Sequence, residues 1–306
     1  STHNRLVLGS SPSRPTKLNK KPSLTLGFLL IDNYHSNSYK IVMSKNNIIR
    51  RTIKIMFSIL LPKLISLTSK VGETIMTLHN KNMGFIVKSD STPLTQADKI
   101  SHNLITEALK KITPNVPILS EESENIPFSI RKDWGSYWLI DPLDGTRDFL
   151  DGTREFCISI AYIENNYPIF GLIYAPFDKI HYYRLPGQTS IKLIDNICYK
   201  LCTQKPRRWE NIVIGRYSTK NKQLQKHLRS KTNFEIFRLG SALKFCSIAE
   251  GRNHYYPKFG RCSEWDTAAG VCILEGAGGK VVDFQNQPLR YNTREDNLSS
   301  TFVASA

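Results

Sequence analysis

The sequence has few cysteines, and they form neither a metal-binding nor a disulfide pattern. None of the six belongs to a Cys-x-x-Cys pair, and no histidine lies near them at the spacing of a zinc site. The pattern argues against a structural zinc site and against a disulfide scaffold, and it favours free thiols in a reducing cytosol. The cysteines are Cys157, Cys198, Cys202, Cys246, Cys262 and Cys272.

Long hydrophobic runs are also missing. The longest clean apolar run near the start, residues 24–31, is far shorter than the roughly 20 residues of a membrane-spanning helix. It follows two lysines, but no A-x-A-like cleavage site comes after it. Residues 48–67 are basic and apolar and could lie on an anionic membrane surface, although we favour a core helix for their second half. We expect a cytoplasmic protein, with peripheral contact at the inner membrane face left open.

Acidic residues are scarce relative to basic ones. The chain of 306 residues has 26 acids against 42 lysines and arginines, a formal net charge of +16. Residues 1–54 hold ten basic residues and a single acid, Asp32, so nine of these net charges lie there. The remaining basic character suits a polyanionic small ligand, and it would also allow loose affinity for nucleic acid without a specific nucleic-acid partner.

The hydrophobic pattern predicts mixed helices and strands. Residues 1–54 show no steady period, and we expect them to be a basic, disordered leader or sequence upstream of a true start at Met43 or Met56. Residues 55–200 and 201–306 then predict an N-terminal α+β lobe and a C-terminal α/β lobe, together a layered α/β sandwich. Helices are predicted over 57–78, from the Thr95/Asp98 capping pair to about 112, and over 266–275. Strands are predicted over 116–119, 137–140, 157–163 and 169–174.

Four of the scarce acids lie at the ends of predicted elements. Glu121 follows one strand, Asp141 and Asp144 follow another, and Asp266 opens a helix. Carboxylates brought together repel one another and raise each other's pKa unless cations lie among them. Hard oxygen ligands without His or Cys indicate Mg²⁺, and two such ions about 4 Å apart can activate water and stabilise a leaving oxygen.

Residues 141–146, Asp-Pro-Leu-Asp-Gly-Thr, are the most informative stretch. Pro142 prevents a helix and fixes a turn that can point both carboxylates and the Leu143 carbonyl the same way. Gly145 allows backbone to approach a phosphate, and the Thr146 hydroxyl can orient an attacking water. The covalent phosphatases of the haloacid-dehalogenase class need a nucleophilic Asp where this chain has Pro142, so that route is excluded.

Four motifs occur in order and together resemble those of the inositol monophosphatase superfamily, and within it the CysQ-type 3′(2′),5′-bisphosphate nucleotidases. The motifs are KSDSTPLTQAD (88–98), LSEE (119–122), WLIDPLDGTRDF (138–149) and EWDTAAG (264–270). Residues 173–176 (IYAP) and 240–246 (GSALKFC) are typical of the CysQ branch, as is Arg147-Asp148-Phe149 after the Asp-Gly-Thr. The resemblance implies an α-β-α-β-α sandwich of the inositol monophosphatase and fructose-1,6-bisphosphatase type.

The resemblance also implies roles for individual residues. Two or three Mg²⁺ ions would be held by Glu121, Asp141, the Leu143 carbonyl, Asp144 and Asp266. Thr146, paired with Asp98, would help activate the attacking water, and Asp90 matches an acid with a base role. Ser241 and Lys244 match residues that hold the nucleotide. The implied substrate contacts are Glu121, Leu143, Asp144, Gly145, Thr146, Ser241, Lys244 and Asp266.

The activity implied is hydrolysis of adenosine 3′,5′-bisphosphate, a by-product of sulfate activation, to AMP and phosphate by metal-activated water. An inositol monophosphatase or another small phosphomonoesterase of the superfamily is the alternative, and a nucleotide- or RNA-binding protein is the alternative outside enzymes. Asp98 could also be only a helix cap, and Lys244 only a solvated helix charge. Lys258 stands where relatives often have Arg, which puts bidentate phosphate binding there in doubt.

Overall fold

The computed structural model describes residues 45–79, 85–87 and 93–306, and this part of the chain contains helices and two large sheets. The helices are α1 (Lys45–His79), α2 (Gln96–Ile112), α3 (Phe128–Arg131), α4 (Thr146–Leu150), α5 (Lys222–Arg229), α6 (Leu243–Ala249) and α7 (Ala268–Gly276), with a 3₁₀ turn at Ser218–Lys220. The first strands are β1 (Phe85–Val87), β2 (Pro93–Thr95), β3 (Ile118–Ser120), β4 (Ser136–Asp144), β5 (Cys157–Glu164), β6 (Tyr167–Ala175), β7 (Ile180–Arg184), β8 (Ile191–Ile194) and β9 (Ile197–Lys200). The last strands are β10 (Glu210–Ile214), β11 (Phe234–Arg238), β12 (Tyr255–Lys258), β13 (Lys280–Asp283) and β14 (Phe302–Ser305).

The two large sheets divide the chain between residues 200 and 210. The first has seven strands in the order β3-β4-β5-β6-β7-β8-β9; its β3–β4 pair is parallel and the others are antiparallel. The second has five strands in the order β11-β10-β12-β14-β13, with β10 parallel to both neighbours. This change of sheet lies close to the predicted lobe boundary, and the division into two lobes stays a prediction.

Alternation along β4 shows how the seven-stranded sheet is covered on both faces. Tyr137 and Leu139 point to one side, into a core shared with α6 and α7. Trp138 and Ile140 point to the other side, into a core shared with α1 and α2. Because successive side chains of a strand face opposite sides, both faces of this sheet are buried, which explains its nearly continuous apolar sequence.

The five-stranded sheet is covered in the same way. Val213 joins the core formed with α6 and α7, whereas its neighbours Ile212 and Ile214 pack against Leu224 of α5. The layers therefore run α1/α2, seven-stranded sheet, α6/α7, five-stranded sheet, α5. The layered sandwich predicted from the sequence is confirmed.

Helix α1 is longer than predicted. It begins at Lys45 rather than at residue 57, within the stretch predicted to be disordered, so that part of the prediction was wrong. By length and composition alone, its residues 51–79 could cross a membrane, although the basic residues that interrupt this stretch gave no such indication in the sequence. One face of the helix is buried in the core; its side chains are Phe57, Leu60, Leu64, Thr68, Val71 and Ile75.

The ends of other elements follow local chemistry. The Thr95 side chain accepts from the backbone of α2 while Asp98 accepts from the Thr95 backbone, so the predicted capping box is present. Helix α7 begins at Ala268, two residues later than predicted, and Thr267 occupies its N-cap position. That shift leaves Asp266 in the loop before the helix.

Candidate functional site

A bulge in β4 forms one side of the candidate site. Asp141 pairs with Ser159 and Asp144 pairs with Cys157, so β4 has an extra residue between the two pairs. Pro142 lies in this bulge, where its missing N–H costs no ladder hydrogen bond. The Leu143 N–H donates to Asp141 Oδ1 at 3.0 Å, which orients that carboxylate.

Three carboxylates from separate elements meet beside the bulge. Oxygens of Glu121, Asp141 and Asp266 lie within 4.8 Å of one another. Glu121 directly follows β3 and donates its N–H to the Ile140 carbonyl at 3.1 Å, which ties that strand end to β4. Asp266 Oδ2 accepts the Ser263 N–H at 2.9 Å in the loop before α7. Three hard oxygen donors at this separation fit a divalent cation such as Mg²⁺.

The electrostatics of the cluster require positive charge. Burial first, and then the charges of Glu121 and the other acids, raise the pKa of Asp141 well above its ordinary value. Burial also raises the pKa of Asp266, against the opposing effect of the Ser263 N–H and Lys258. On its own the cluster therefore tends to hold protons, and bound cations would remove that cost.

Asp144, at the end of β4, interacts electrostatically with Asp141 and Asp266 of this cluster. Its Oδ2 accepts the Ala242 N–H at 2.5 Å and lies 3.7 Å from the Cys157 sulfur. Burial, and then the charge of Asp266, raise the pKa of Asp144 to about 7, although Lys244 opposes this. Asp144 thus connects the acidic cluster to the segment that follows Gly240 in the second half of the chain.

Thr146 follows Asp144 by two residues, and its hydroxyl forms a hydrogen bond with Asp98. Its hydroxyl is 3.1 Å from Asp98 Oδ1 and 3.2 Å from the Leu143 carbonyl oxygen, so it can donate to either. The other carboxylate oxygen of Asp98 accepts both the N–H and the hydroxyl of Thr95, at 2.7 and 2.5 Å. Asp98 is therefore a helix cap and a partner of Thr146 at once, and the two interpretations of this residue are compatible.

Gly145 provides the turn that places Thr146. Its φ of +94° lies in the left-handed region, and a Cβ added there would lie 3.0 Å from the Glu155 carbonyl oxygen. Glycine tolerates both conditions because it has no side chain. The chain can then leave β4 and enter α4 at Thr146.

A cavity of about 320 Å³ lies beside residues 240–244, a segment that contacts Asp144 through the Ala242 N–H. Its polar wall includes Ser241, Lys244 and Lys258, and its other walls carry the rings of Tyr217 and Phe259. The Lys244 ammonium is buried and donates to the Ser241 carbonyl at 2.5 Å. Burial lowers the pKa of Lys244, while the Asp144 charge raises it. The cavity therefore offers cationic groups for a phosphate and aromatic surface for a planar ring.

The structure brings together most of the predicted site residues and adds others. Asp90 lies outside the described residues, so its predicted role is not addressed by the geometry. Sequence reasoning missed Arg216, Tyr217 and Phe259, which line the cavity. A signal was present, because Arg216 follows directly after the apolar strand β10 and Gly215, where ligand groups in α/β folds often lie.

Comparisons with known proteins match most of the described chain. Residues 60–305 match the Inositol monophosphatase family. The 3′(2′),5′-bisphosphate nucleotidase CysQ of Salmonella typhimurium is 38% identical over 247 residues, which cover 79% of this chain and 98% of that protein. The protein of the same name from Buchnera aphidicola is 39% identical and covers 83% of this chain and 97% of that protein.

Solved structures show the same fold. CysQ from Bacteroides thetaiotaomicron, described as a bacterial member of the inositol monophosphatase family, superposes with a TM-score of 0.68 at 29% identity. The match covers 87% of this chain and 98% of that one. An inositol monophosphatase from Thermotoga maritima superposes with a TM-score of 0.65 at 26% identity, covering 80% and 91% of the two chains.

Proposed function

Because the chain belongs to the inositol monophosphatase family, we propose that it is a magnesium-dependent 3′(2′),5′-bisphosphate nucleotidase that hydrolyses adenosine 3′,5′-bisphosphate to AMP and phosphate. The observation that carries the substrate is the identity of 38% across almost the full length of a relative named for this activity. The family resemblance stated from the motifs is confirmed by the match over residues 60–305.

The cation site supports the metal dependence. Glu121, Asp141 and Asp266 have oxygens within 4.8 Å of one another, and we assign Asp144 and the Leu143 carbonyl as further ligands. When bound, Mg²⁺ ions would supply Lewis-acid stabilisation of phosphate oxygens and lower the pKa of water. The number of ions, two or three, stays a prediction.

Thr146 and Asp98 are proposed to direct the attacking water. The Thr146 hydroxyl can donate its proton to Asp98 Oδ1 at 3.1 Å, which leaves its oxygen lone pairs to accept a hydrogen bond from water. This fixes the water's orientation, and Asp98 can take the proton as the oxygen attacks phosphorus. The bond from phosphorus to the ribose 3′-oxygen then breaks, that oxygen takes a proton from solvent water to become the hydroxyl of AMP, and Asp98 returns its proton to solvent.

The cavity beside the acids supports a nucleotide with a second phosphate. Lys244, Lys258 and Ser241 line its polar wall, and we assign them to the 5′-phosphate. Tyr217 is half exposed and lines the same cavity, so its ring is available to the base. A ligand with one phosphate and no aromatic ring would leave much of this surface without a partner.

The test is phosphate release from adenosine 3′,5′-bisphosphate, inositol 1-phosphate and AMP, each with Mg²⁺ and with a chelator. We expect metal-dependent release from the bisphosphate alone, lost in Asp144→Asn and retained in Asp133→Asn, a matched change at an exposed acid. Preference for inositol 1-phosphate would keep the chemistry and replace the substrate by that of an inositol monophosphatase. Release from none of them, together with RNA affinity at physiological salt, would favour a binding protein.

The wider setting is also proposed. If the substrate is adenosine 3′,5′-bisphosphate, the enzyme would remove a by-product of sulfate activation and sulfo transfer. A cytoplasmic location follows from that setting. Fractionation of cells into soluble and membrane parts would test it and would also test the predicted peripheral contact with the inner membrane.

A further inference from the structure

Arg216 lies on the cavity wall, and its guanidinium joins two acids that surround the phosphate-binding segment. Its Nε is 3.2 Å from Asp148 Oδ1, and its Nη2 is 2.5 Å from Glu155 Oε1. The Asp148 side chain is 6% exposed and the Glu155 side chain 20% exposed, so both carboxylates need a nearby cation. Arg216 serves both at once, as a planar fork with several donors can.

The same two acids hold the segment that contributes Ser241 and Lys244. Glu155 Oε2 accepts the Gly240 N–H at 2.8 Å. A Cβ on Gly240 would lie 2.5 Å from Asp148 Oδ2, so the backbone is packed directly against this carboxylate. Two residues later, the Ala242 N–H donates to Asp144. The ion cluster therefore holds Gly240, while Asp144 of the acidic site holds Ala242.

Lys244 and Arg216 both interact with the Asp148 carboxylate. Lys244 is buried, and the charges of Asp144 and Asp148 both act on it. Burial and the Glu155 charge raise the pKa of Asp148, whereas the charges of Arg216 and Lys244 lower it. If Arg216 were absent, the uncompensated charge of Asp148 would act on Lys244 more strongly, and less of the Lys244 charge would be available to a substrate phosphate.

We propose that Arg216 is a positioning residue for the substrate's second phosphate, acting by neutralising Asp148 and Glu155 so that Lys244 remains available and residues 240–242 stay in place. This rests on the proposed function, in which Lys244 and Ser241 bind the 5′-phosphate. Arg216 itself need not touch the substrate, since its Nε and Nη2 already contact the two carboxylates.

The experiment compares Arg216→Met with Arg252→Met in steady-state kinetics. Arg252 is a matched control because its Nε also pairs with a carboxylate, that of Glu250, on a different surface. For Arg216→Met we expect KM for adenosine 3′,5′-bisphosphate to rise about tenfold, the size of one lost charge-assisted interaction, with kcat within about twofold. KM for adenosine 3′-monophosphate, which lacks the second phosphate, should change little. Arg252→Met should leave all these values unchanged.

A rescue variant separates charge from a general structural effect. In Arg216→Met/Asp148→Asn one of the uncompensated charges is removed, so KM for the bisphosphate should return most of the way to the wild-type value. If Arg216→Met does not fold, Arg216→Lys retains a charge that can reach one carboxylate and should give an intermediate KM.

Other results would overturn the inference. These are an unchanged KM in folded Arg216→Met, equal losses with bisphosphate and monophosphate, or a double variant as impaired as the single one. A wild-type KM in Arg216→Lys would overturn it where Arg216→Met cannot be studied. Failure of the proposed function is distinguishable, because wild-type protein would then release no phosphate from the bisphosphate.

Discussion

Replacing Asp144 by Asn should make the metal-free protein more stable while abolishing its activity. Asp144 is buried beside Asp266, and burial raises its pKa from 3.8 to about 7. Below about pH 4 the group is protonated in the folded and the unfolded chain. Between pH 4 and 7 the unfolded chain loses this proton while the folded chain keeps it, so the free energy of unfolding falls as pH rises.

The magnitude follows from the shift in pKa. Each unit corresponds to about 1.4 kcal/mol, so the charge on Asp144 costs up to about 4 kcal/mol above pH 7. We expect about 2 kcal/mol to be recovered in Asp144→Asn, because neighbouring Asp141 and Asp266 also hold protons and relieve part of the repulsion. The Asn carbonyl oxygen can still accept the Ala242 N–H, so this hydrogen bond need not be lost.

The assay is urea unfolding of both proteins in chelator at pH 5 and pH 8, repeated at pH 8 with Mg²⁺. In chelator at pH 8 the free energy of unfolding should be higher for the variant than for wild type, and this difference should shrink at pH 5. Mg²⁺ should stabilise wild type more than it stabilises the variant. Asp133→Asn, at an exposed position, controls for the loss of one negative charge. A metal-free wild type that is more stable than the variant at pH 8 would refute the reasoning.

Other substitutions test the remaining parts of the site and core. Thr146→Val should lower kcat about 100-fold or more with KM near wild type, and Thr146→Ser should retain much of the activity, as steady-state kinetics would show. Gly145→Ala should lower the free energy of unfolding by about 1–3 kcal/mol, because φ is +94° and the Glu155 carbonyl lies 3.0 Å from the new Cβ; an unchanged urea midpoint would contradict this. Phe57→Ala should lower the free energy of unfolding by about 3–5 kcal/mol, because this buried ring packs against Trp138, Tyr162 and Phe170. As a control, replacing the exposed Ile59 by Ala should change the free energy of unfolding by less than about 0.5 kcal/mol in the same denaturation experiment.

The local features that depend on near neighbours could be predicted. The Thr95/Asp98 capping box needs only residues three apart, and α2 begins where this pair predicts. The start of α1 could not be found in the same way. Residues 45–56 share the basic character of the preceding segment, and what sets them apart is tertiary, because Ile53 and Met56 pack against the core that the rest of α1 enters.

For the candidate site, the sequence by itself determined which residues are available for the chemistry, and it predicted their roles. Acids at element ends predicted a magnesium site, because hard oxygen ligands can be recognised from residue type. The phosphomonoesterase activity was implied by the family resemblance that the four motifs carry. The pattern also predicted the layered fold, since alternation and apolar runs reflect which faces are buried.

Only the tertiary structure decided which distant residues share the site. The pairing of Ala242 with Asp144, and the joining of Asp148 and Glu155 by Arg216, connect residues 61 to 98 positions apart along the chain. No local pattern encodes such contacts, because they arise when the two sheets pack on opposite sides of α6 and α7. That packing places the end of β10 and the start of α6 beside the bulge in β4, and it therefore sets both the cavity and its charge balance.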